Sequence, residues 1–192
     1  MHLMEEKILS EGVVLPGGVL KVGSFLNQQV DTVFLREMGR EIARLYAANG
    51  VTRVLTIEAS GITIAAAAAM ELGVPMVFAK KHRTSNVDGS VYSTTVHSFT
   101  HNMDYDIVVS RDYLPAGERV LLVDDFLANG AALRGLIELV KSAGATVVGA
   151  AIAIEKCFQG GGNALRAEGV RVESLAMIQS MENGRIEFAH AV

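Results

Sequence analysis

The sequence predicts an α/β protein: a mainly parallel, twisted sheet flanked by helices on both faces. Three observations lead there. Apolar runs without strict alternation recur as VTRVLTI (Val51 to Ile57), VPMVFA (Val74 to Ala79), ERVLLV (Glu118 to Val123) and ATVVGAAIAIE (Ala145 to Glu155), and such runs suit strands buried on both faces. Stretches of helical spacing separate several of them, as crossover connections require. Right-handed crossovers would bring the C-terminal ends of the strands, and any ligand site, to one edge of the sheet.

Taken in order, Phe34, Met38, Ile42, Leu45 and Tyr46 recur at helical spacing, with Asp31 placed as an N-cap and Gly50 as a stop. The Val51–Ile57 strand follows, then EASG (Glu58 to Gly61) and an alanine-rich helix to about Leu72. Ala65 to Ala69 would let that helix lie close on the sheet. Gly73 and Pro75 introduce the next strand. From Lys80 to Asn102 the chain turns polar, KKHRTSNVDGSVYSTTVHSFTHN, with a turn signal at Asp88-Gly89 and alternation through Tyr92, Thr94 and Val96. This reads as a mobile loop, about residues 81–102, joined to a short exposed strand. Core character returns with DIVVS (Asp106 to Ser110). After the Glu118–Val123 strand comes a helix over roughly Ala131 to Ala143, then the Ala145–Glu155 strand, a short helix near Ala164 to Glu168, and strands at VRVESLAMI and RIEFA. The stretch LKVGSFLN, Leu20 to Asn27, reads by itself as a loop and a strand.

Composition narrows the partners. The 192 residues suit one domain, and with 50% hydrophobic and 20% charged residues a substantial core is expected. A net charge of −4 with no polybasic block disfavours nucleic acid. The single cysteine, Cys157, makes no intramolecular disulfide framework and fits a reducing compartment. The opening MHLMEEKILS has acids where a secretory leader needs bases, and the longest apolar runs, Ile64 to Met70 and Ala150 to Ile154, are too short to span a bilayer. A cytoplasmic protein without a membrane partner is expected.

The chemistry concentrates in VLLVDDFLANGAAL, Val120 to Leu133. Asp124 and Asp125 sit where a buried strand gives way to small and turn-forming residues, Ala128, Asn129 and Gly130, before a helix opening at Ala131 and Ala132. Amides of such a turn and helix N-terminus suit a phosphate. Carboxylates beside them would repel phosphate but accept hydrogen bonds from vicinal hydroxyls, so the pair fits a phosphorylated sugar. A metal site and a simple helix cap remain open as readings of Asp-Asp. A triphosphate P-loop and a dinucleotide fingerprint have no matching glycine run. His97 and His101 are four apart without a visible third ligand, and Cys157 lacks a neighbouring base.

Four apolar residues, two acids, a small-residue loop and a helix resemble the ribose-phosphate signature of the type I phosphoribosyltransferases. The order of LKVGSFLNQQVD, TIEASGI, VFAKKH, VDDFLANG and IEKCFQ is similar, over nearly the whole chain, to that in the family's xanthine-using bacterial members. The resemblance implies one domain over residues 1–192 with a small N-terminal hood, mainly about residues 1–30 together with the C-terminal strands. It implies transfer of the 5-phosphoribosyl group from phosphoribosyl pyrophosphate to N9 of xanthine, giving xanthosine 5′-monophosphate and pyrophosphate in purine salvage. Asp124 and Asp125 would then be catalytic, and Ala128, Asn129, Gly130, Ala131 and Ala132 would take the phosphate. Ser60, Gly61 and Lys81 would bind the pyrophosphate, with Lys81 reaching the site of the other subunit in a homodimer. Leu20, Asn27 and Lys156 would bind xanthine.

Bland readings stand beside these. Gly61 can be a helix-opening glycine, KKHR a solvated charge run, and Lys156 a strand-end lysine, although an ammonium beside an aromatic also fits a 6-oxopurine. Mg²⁺ is implied as a companion of the pyrophosphate, held by substrate and water, with no protein cage for a metal. The phosphate loop departs from the family's usual Thr-Gly, so fewer side-chain donors are available. Two rivals remain: a regulator that keeps the fold as a sensor, for which the segment before Asp31 is short of a winged-helix module, and an adenine-using member, which has no use for a lysine at the 6-position.

Overall fold

The computed structural model describes residues 2–81, 90–98, 103–182 and 184–189. Its elements in order are α1 (His2–Glu11), β1 (Val13–Leu15), β2 (Val19–Lys21), α2 (Thr32–Tyr46), β3 (Arg53–Ile57), α3 (Gly61–Leu72), β4 (Met76–Ala79), β5 (Val91–Ser98), β6 (Met103–Ser110), β7 (Arg119–Leu127), α4 (Ala131–Ser142), β8 (Thr146–Lys156), α5 (Gly161–Ala167), β9 (Val172–Glu182) and β10 (Arg185–Phe188). The main sheet has the order β10-β9-β8-β7-β3-β4. All its pairings are parallel except that of β10 with β9. The mainly parallel, helix-flanked sheet expected from the apolar runs is present.

Both faces of the sheet are covered, and the strands show why they lack a polar side. Val54, Leu121, Val123, Ala151 and Ala153 face one buried cluster with α1, α2 and α3. Leu55, Val120, Leu122, Ala150 and Ile152 face the other, with α4, Leu165 of α5 and the β5–β6 hairpin. Alternate residues go to opposite faces and both faces are dry, so neither parity of position can be polar.

Local signals account for the helix ends. The Asp31 carboxylate accepts hydrogen bonds from the Val33 and Phe34 amides at 3.2 and 3.0 Å, capping α2 as the sequence predicted. Phe34, Met38, Ile42 and Tyr46 bury one stripe of that helix. Tyr46 reaches the far side of the stripe, where its hydroxyl donates to the Ala150 carbonyl at 2.8 Å. Gly73 stops α3 in a left-handed conformation that L side chains rarely adopt.

The strand order reverses between β3 and β7. From β3 the chain crosses by α3 to β4 on one side, whereas β7, β8 and β9 build outward on the other. At such a switch point the loops after the two central strands part and leave a crevice. The last matched pair between β3 and β7 is Leu55 with Leu122. Strand β7 continues beyond it, paired only with β8, through Asp124 and on to Leu127.

Several sequence expectations are corrected here. The aspartates lie within β7, not after it, because pairing with β8 carries the strand on from Val123, where the apolar run ends, to Leu127. DIVVS falls in β6, which runs antiparallel to β5 in a separate hairpin; among the described residues the Lys80–Val108 bridge ties it to the residue after β4. Strand β5 is eight residues long and not simply exposed, since Val96 is buried against α4. Gly135 of α4 makes that contact possible: a Cβ there would lie 2.5 Å from the Val96 side chain. Helix α5 starts at Gly161, three residues before the expected start. Helix α1 has no counterpart in the sequence reading. The Asp88-Gly89 turn, His82, Arg83, His101 and most of the expected loop lie outside the described residues.

Helices α2 and α3 touch at backbone distance. A Cβ at Gly39 would sit 2.8 Å from the Ala67 carbonyl carbon and oxygen. Gly39→Ala should therefore force the helices apart and lower stability by roughly 1–3 kcal/mol, the usual penalty of overpacking. Thermal unfolding followed by circular dichroism checks this, and a midpoint equal to the parent's would mean that the helices separate freely.

Candidate functional site

The crevice at the switch point holds a cavity of about 140 Å³ lined by Ile57, Glu58, Ala59, Ser60, Gly61, Lys81, Tyr105, Asp124, Asp125 and Ala132. Six of the residues singled out in the sequence meet here: Ser60, Gly61, Lys81, Asp124, Asp125 and Ala132. A larger hollow of about 440 Å³ lies along β4 and β6, lined mainly by apolar side chains such as Met76, Phe78, Val108 and Tyr113. Size does not identify the chemistry; the carboxylates and the helix N-terminus are in the smaller cavity.

Asp124 is buried, and its Oδ1 accepts from the Asp125 amide at 3.0 Å. Asp125 Oδ1 accepts from the Phe126 amide at 2.9 Å. Each carboxylate is thus oriented by the next backbone N–H, and neither caps α4. The cap reading of the pair falls away, because the Asn129 side chain does that work by accepting from the Ala131 amide at 3.0 Å. Burial, and then the neighbouring Asp125 charge, push the Asp124 carboxyl well above the usual carboxylate range, against which the Lys81 charge pulls only weakly. Burial together with Asp124 also raises the Tyr105 phenol.

Opposite the carboxylates, Gly61 opens α3. A Cβ there would lie 2.2 Å from the Thr56 hydroxyl and 3.1 Å from Asp124 Oδ1. Its role is close approach, which lets the turn after β3 press against β7. The Glu58–Ala59 peptide bond in that turn is cis. The Glu58 carboxylate accepts from the Lys81 amide at 2.6 Å, tying the end of β4 to the turn. The Lys81 ammonium stands 5.5 Å from the Tyr105 ring centre, so this lysine lines the cavity of its own chain. Glu58, Ala59 and Tyr105 were not singled out in the sequence. Glu58 and Ala59 lie inside the EASG motif that marked the turn, whereas Tyr105 carried no signal because its hairpin brings it in from outside the sheet.

The loop from Ala128 to Gly130 adjoins the cavity. Gly130 has φ of 87°, and the Ala128 carbonyl accepts from the Gly161 amide at 3.0 Å. Asn129 therefore spends its side-chain oxygen on Ala131, one of the amides that the sequence reading left open for a phosphate.

Lys156 stands apart, at the end of β8. It is half-buried, which lowers its pKa, and its ammonium donates to the Gly18 carbonyl at 2.9 Å while lying 5.4 Å from the Phe126 ring centre. Phe158 packs near the same turn, 3.7 Å from where a Cβ on Gly18 would be. The β1–β2 hairpin is thereby held over the strand end. Leu20, on β2, is buried in the core. Asn27 is exposed at the end of a wide helical turn, Gly23–Asn27, and lines neither cavity. Among the described residues no group of three or more His, Cys, Asp or Glu is arranged to hold a metal ion. His97 instead meets Asp104 at 2.6 Å on the outer hairpin.

Comparison with known proteins gives a consistent result. The family described as "Phosphoribosyl transferase domain" matches residues 32–163. The chain is 55% identical over 193 residues to a xanthine phosphoribosyltransferase of Bifidobacterium longum (strain NCC 2705), covering 99% of this chain and 100% of that one. It is 51% identical over 189 residues to a xanthine phosphoribosyltransferase of Heliobacterium modesticaldum (strain ATCC 51547 / Ice1), covering 98% and 100%. Among solved structures, an adenine phosphoribosyltransferase from Thermoanaerobacter pseudethanolicus ATCC 33223 superposes with a TM-score of 0.74 at 21% identity, covering 91% of this chain and 99% of that one, a likeness of fold.

The state of Asp124 can be tested without any substrate. Asp124→Asn keeps an oxygen for the Asp125 amide and removes a desolvated charge, so its thermal midpoint at pH 7 should be equal to or above the parent's. The parent's handicap arises because folding raises the pKa: ionisation is opposed in the folded state and free in the unfolded one. It grows as pH rises above the ordinary aspartate value of about 3.9 and disappears below it. The gap between variant and parent should therefore close as pH is lowered toward that value. A variant uniformly less stable at every pH would mean that the carboxylate is well satisfied where it sits.

Proposed function

The chain belongs to the phosphoribosyl transferase family, and from that premise we propose that it transfers the 5-phosphoribosyl group of phosphoribosyl pyrophosphate to N9 of xanthine. The products are xanthosine 5′-monophosphate and pyrophosphate, a purine-salvage reaction. The observation that carries this reading is the meeting of a carboxylate pair, a glycine-opened turn and the first turn of α4 at one cavity. The full-length relatives named for xanthine supply the base.

In this reading the ribose hydroxyls donate to Asp124 and Asp125. The 5′-phosphate lies on the Ala128–Ala132 loop, where one of its oxygens replaces Asn129 Oδ1 on the Ala131 amide. The pyrophosphate lies against Ser60, Gly61 and Lys81. Cleavage of the bond from the anomeric carbon to pyrophosphate leaves positive charge on the sugar as N9 approaches. A carboxylate kept from water beside a second carboxylate is poorly stabilised until such a charge develops next to it. Its interaction is therefore stronger in the transition state than in the ground state, which is the condition for faster chemistry.

The base is assigned to the end of β8. An ammonium has three donors; Lys156 uses one on the Gly18 carbonyl and has others for the 6-oxo group. Asn27 is assigned to the 2-oxo edge through its amide nitrogen. Leu20, with its side chain in the core, contributes through its backbone and by fixing the hairpin. These segments form the hood of the proposed architecture. Mg²⁺ belongs with the pyrophosphate. Asp124 and Asp125, the two carboxylates of the cavity, are the residues that would help hold the ion beside the substrate, where it would offset negative charge on the leaving group. A homodimer and a cytoplasmic location complete the reading; its phosphorylated substrates are charged metabolites, and no described helix is long and apolar enough to cross a membrane.

Pyrophosphate release measured with xanthine, guanine, hypoxanthine and adenine tests the reaction, with xanthine expected to give the highest kcat/KM and adenine the lowest. Asp124→Asn and Asp125→Asn should each lower turnover by roughly 10- to 150-fold, the equivalent of about 1.5–3 kcal/mol for a hydrogen bond to a charged group. No turnover of any purine by the parent would reject the enzyme reading.

Within the base site, Lys156→Ala should depress xanthine and guanine together, since both carry a 6-oxo group. Asn27→Asp exchanges a donor for an acceptor at the 2-position and should shift the xanthine-to-guanine ratio of kcat/KM toward guanine. A ratio unchanged from the parent's would remove Asn27 from the 2-position.

A further inference from the structure

Between the two halves of the proposed site lies an ion pair to which the reaction assigns no role. Glu155, almost fully buried, is the residue before Lys156 and pairs across the sheet with Leu127, the residue before the Ala128–Ala132 loop. Arg166, on α5, holds both its oxygens, at 2.8 and 2.7 Å, and Ser174 on β9 donates to one of them at 2.5 Å. The same guanidinium also donates to the Val172 carbonyl. Burial alone would raise the Glu155 carboxyl, but the Arg166 and Ser174 hydrogen bonds outweigh it and hold the group below the usual range. The fork is planar and bidentate, a geometry that fixes direction as well as distance.

Helix α5 carries this constraint into the phosphate loop through two glycines. A Cβ at Gly162 would lie 1.9 Å from Glu155 Oε1, so only a bare backbone lets the helix seat on the carboxylate. A Cβ at Gly161 would lie 2.3 Å from the Ala128 carbonyl oxygen and 2.6 Å from the Gly130 nitrogen, so the same turn bears directly on the loop. The Gly161 amide donates to Ala128 at this contact. Each subsite also has its own local support, Asn129 capping within the loop and Gly18 receiving Lys156. What the ion pair adds is their spacing.

We propose that Glu155, Arg166 and Ser174, acting through Gly161 and Gly162, are positioning residues that set the distance between the base subsite at Lys156 and the phosphate loop. The proposal rests on the assignment of Lys156 to the base and of residues 128–132 to the phosphate. A spacing device has a signature that a purely structural ion pair lacks. Ligands that fill one subsite tolerate a change in spacing, whereas a ligand that spans both does not.

The test is calorimetric titration of Arg166→Met, which keeps an unbranched apolar chain and removes the guanidinium, with xanthine, ribose 5-phosphate and xanthosine 5′-monophosphate. Xanthine and ribose 5-phosphate should each weaken by no more than about threefold, while the nucleotide should weaken by a further factor of about ten or more beyond the product of those two losses. Arg166→Lys, which keeps one donor, should restore part of the excess. If Arg166→Met does not fold, Ser174→Ala replaces it, with a smaller excess in the same direction. A nucleotide loss no greater than the product of the two half-ligand losses overturns the positioning role. Failure of the parent itself to bind xanthine and the nucleotide would instead overturn the underlying site assignment.

Discussion

Asp124 holds a carboxylate out of water, against a second carboxylate, on a stretch of β7 that has lost its β3 partner. A group in that position is tolerable only where the surrounding backbone is closed and its orientation is fixed. The sheet supplies both conditions. Pairing with β8 satisfies β7 on one side, while the reversal of strand order leaves the other side open to the crevice. Were β3 to pair with β7 for two more residues, Asp124 would be sealed inside a ladder and useless to a ligand. The site therefore depends on where one ladder stops.

Glycine sets how closely the walls of the site approach. At Gly61 and Gly161 the reason is space and not a left-handed backbone: a single added carbon would collide with Thr56 in one case and with the phosphate-loop backbone in the other. Those contacts bring three loops, after β3, β7 and β8, to one locus. Longer side chains could fill the same volume only by moving the backbone amides and carboxylates away from one another. Distances between binding groups would then change by the length of a carbon–carbon bond or more, enough to spoil preorganised chemistry.

Much of this was legible in the sequence, and the limits have physical causes. The strands buried on both faces announced themselves as apolar runs, Asp31 and Gly73 marked helix ends, and Asp124-Asp125 before a small-residue loop marked residues that line the crevice. Local pattern could not show that β7 continues through the aspartates, because its extension is held by hydrogen bonds to β8 and not by apolar side chains. Nor could it tell that DIVVS serves a separate hairpin, since a strand packed on α4 is as apolar as one in the sheet. Helix α1 buries only Met4 and Ile8, so although Gly12 follows its last residue its periodicity was too thin to read. Lys156 was legible as a residue, but its hold on Gly18 spans 138 positions and exists only in three dimensions.

The two buried carboxylates of the site region show how one chain separates structure from chemistry. Glu155 is met by a bidentate guanidinium and a hydroxyl, and its pKa falls despite burial. Asp124 is met by one backbone amide and a like charge, and its pKa rises. The first group has its full complement of donors and gains nothing further from a cation, so it can serve as a fixed reference within the fold. The second has unfilled acceptor capacity and an unfavourable field, and both are relieved only when hydroxyls and positive charge arrive together. Environments that push like groups apart in this way mark which one is available for reaction. The neighbouring residues follow the same division: Arg166 and Ser174 are committed to Glu155, while Asp125, Ser60 and Lys81 surround a cavity. In the proposed reaction, a sugar carrying developing positive charge, between its 5′-phosphate and the departing pyrophosphate, satisfies the second set without disturbing the first.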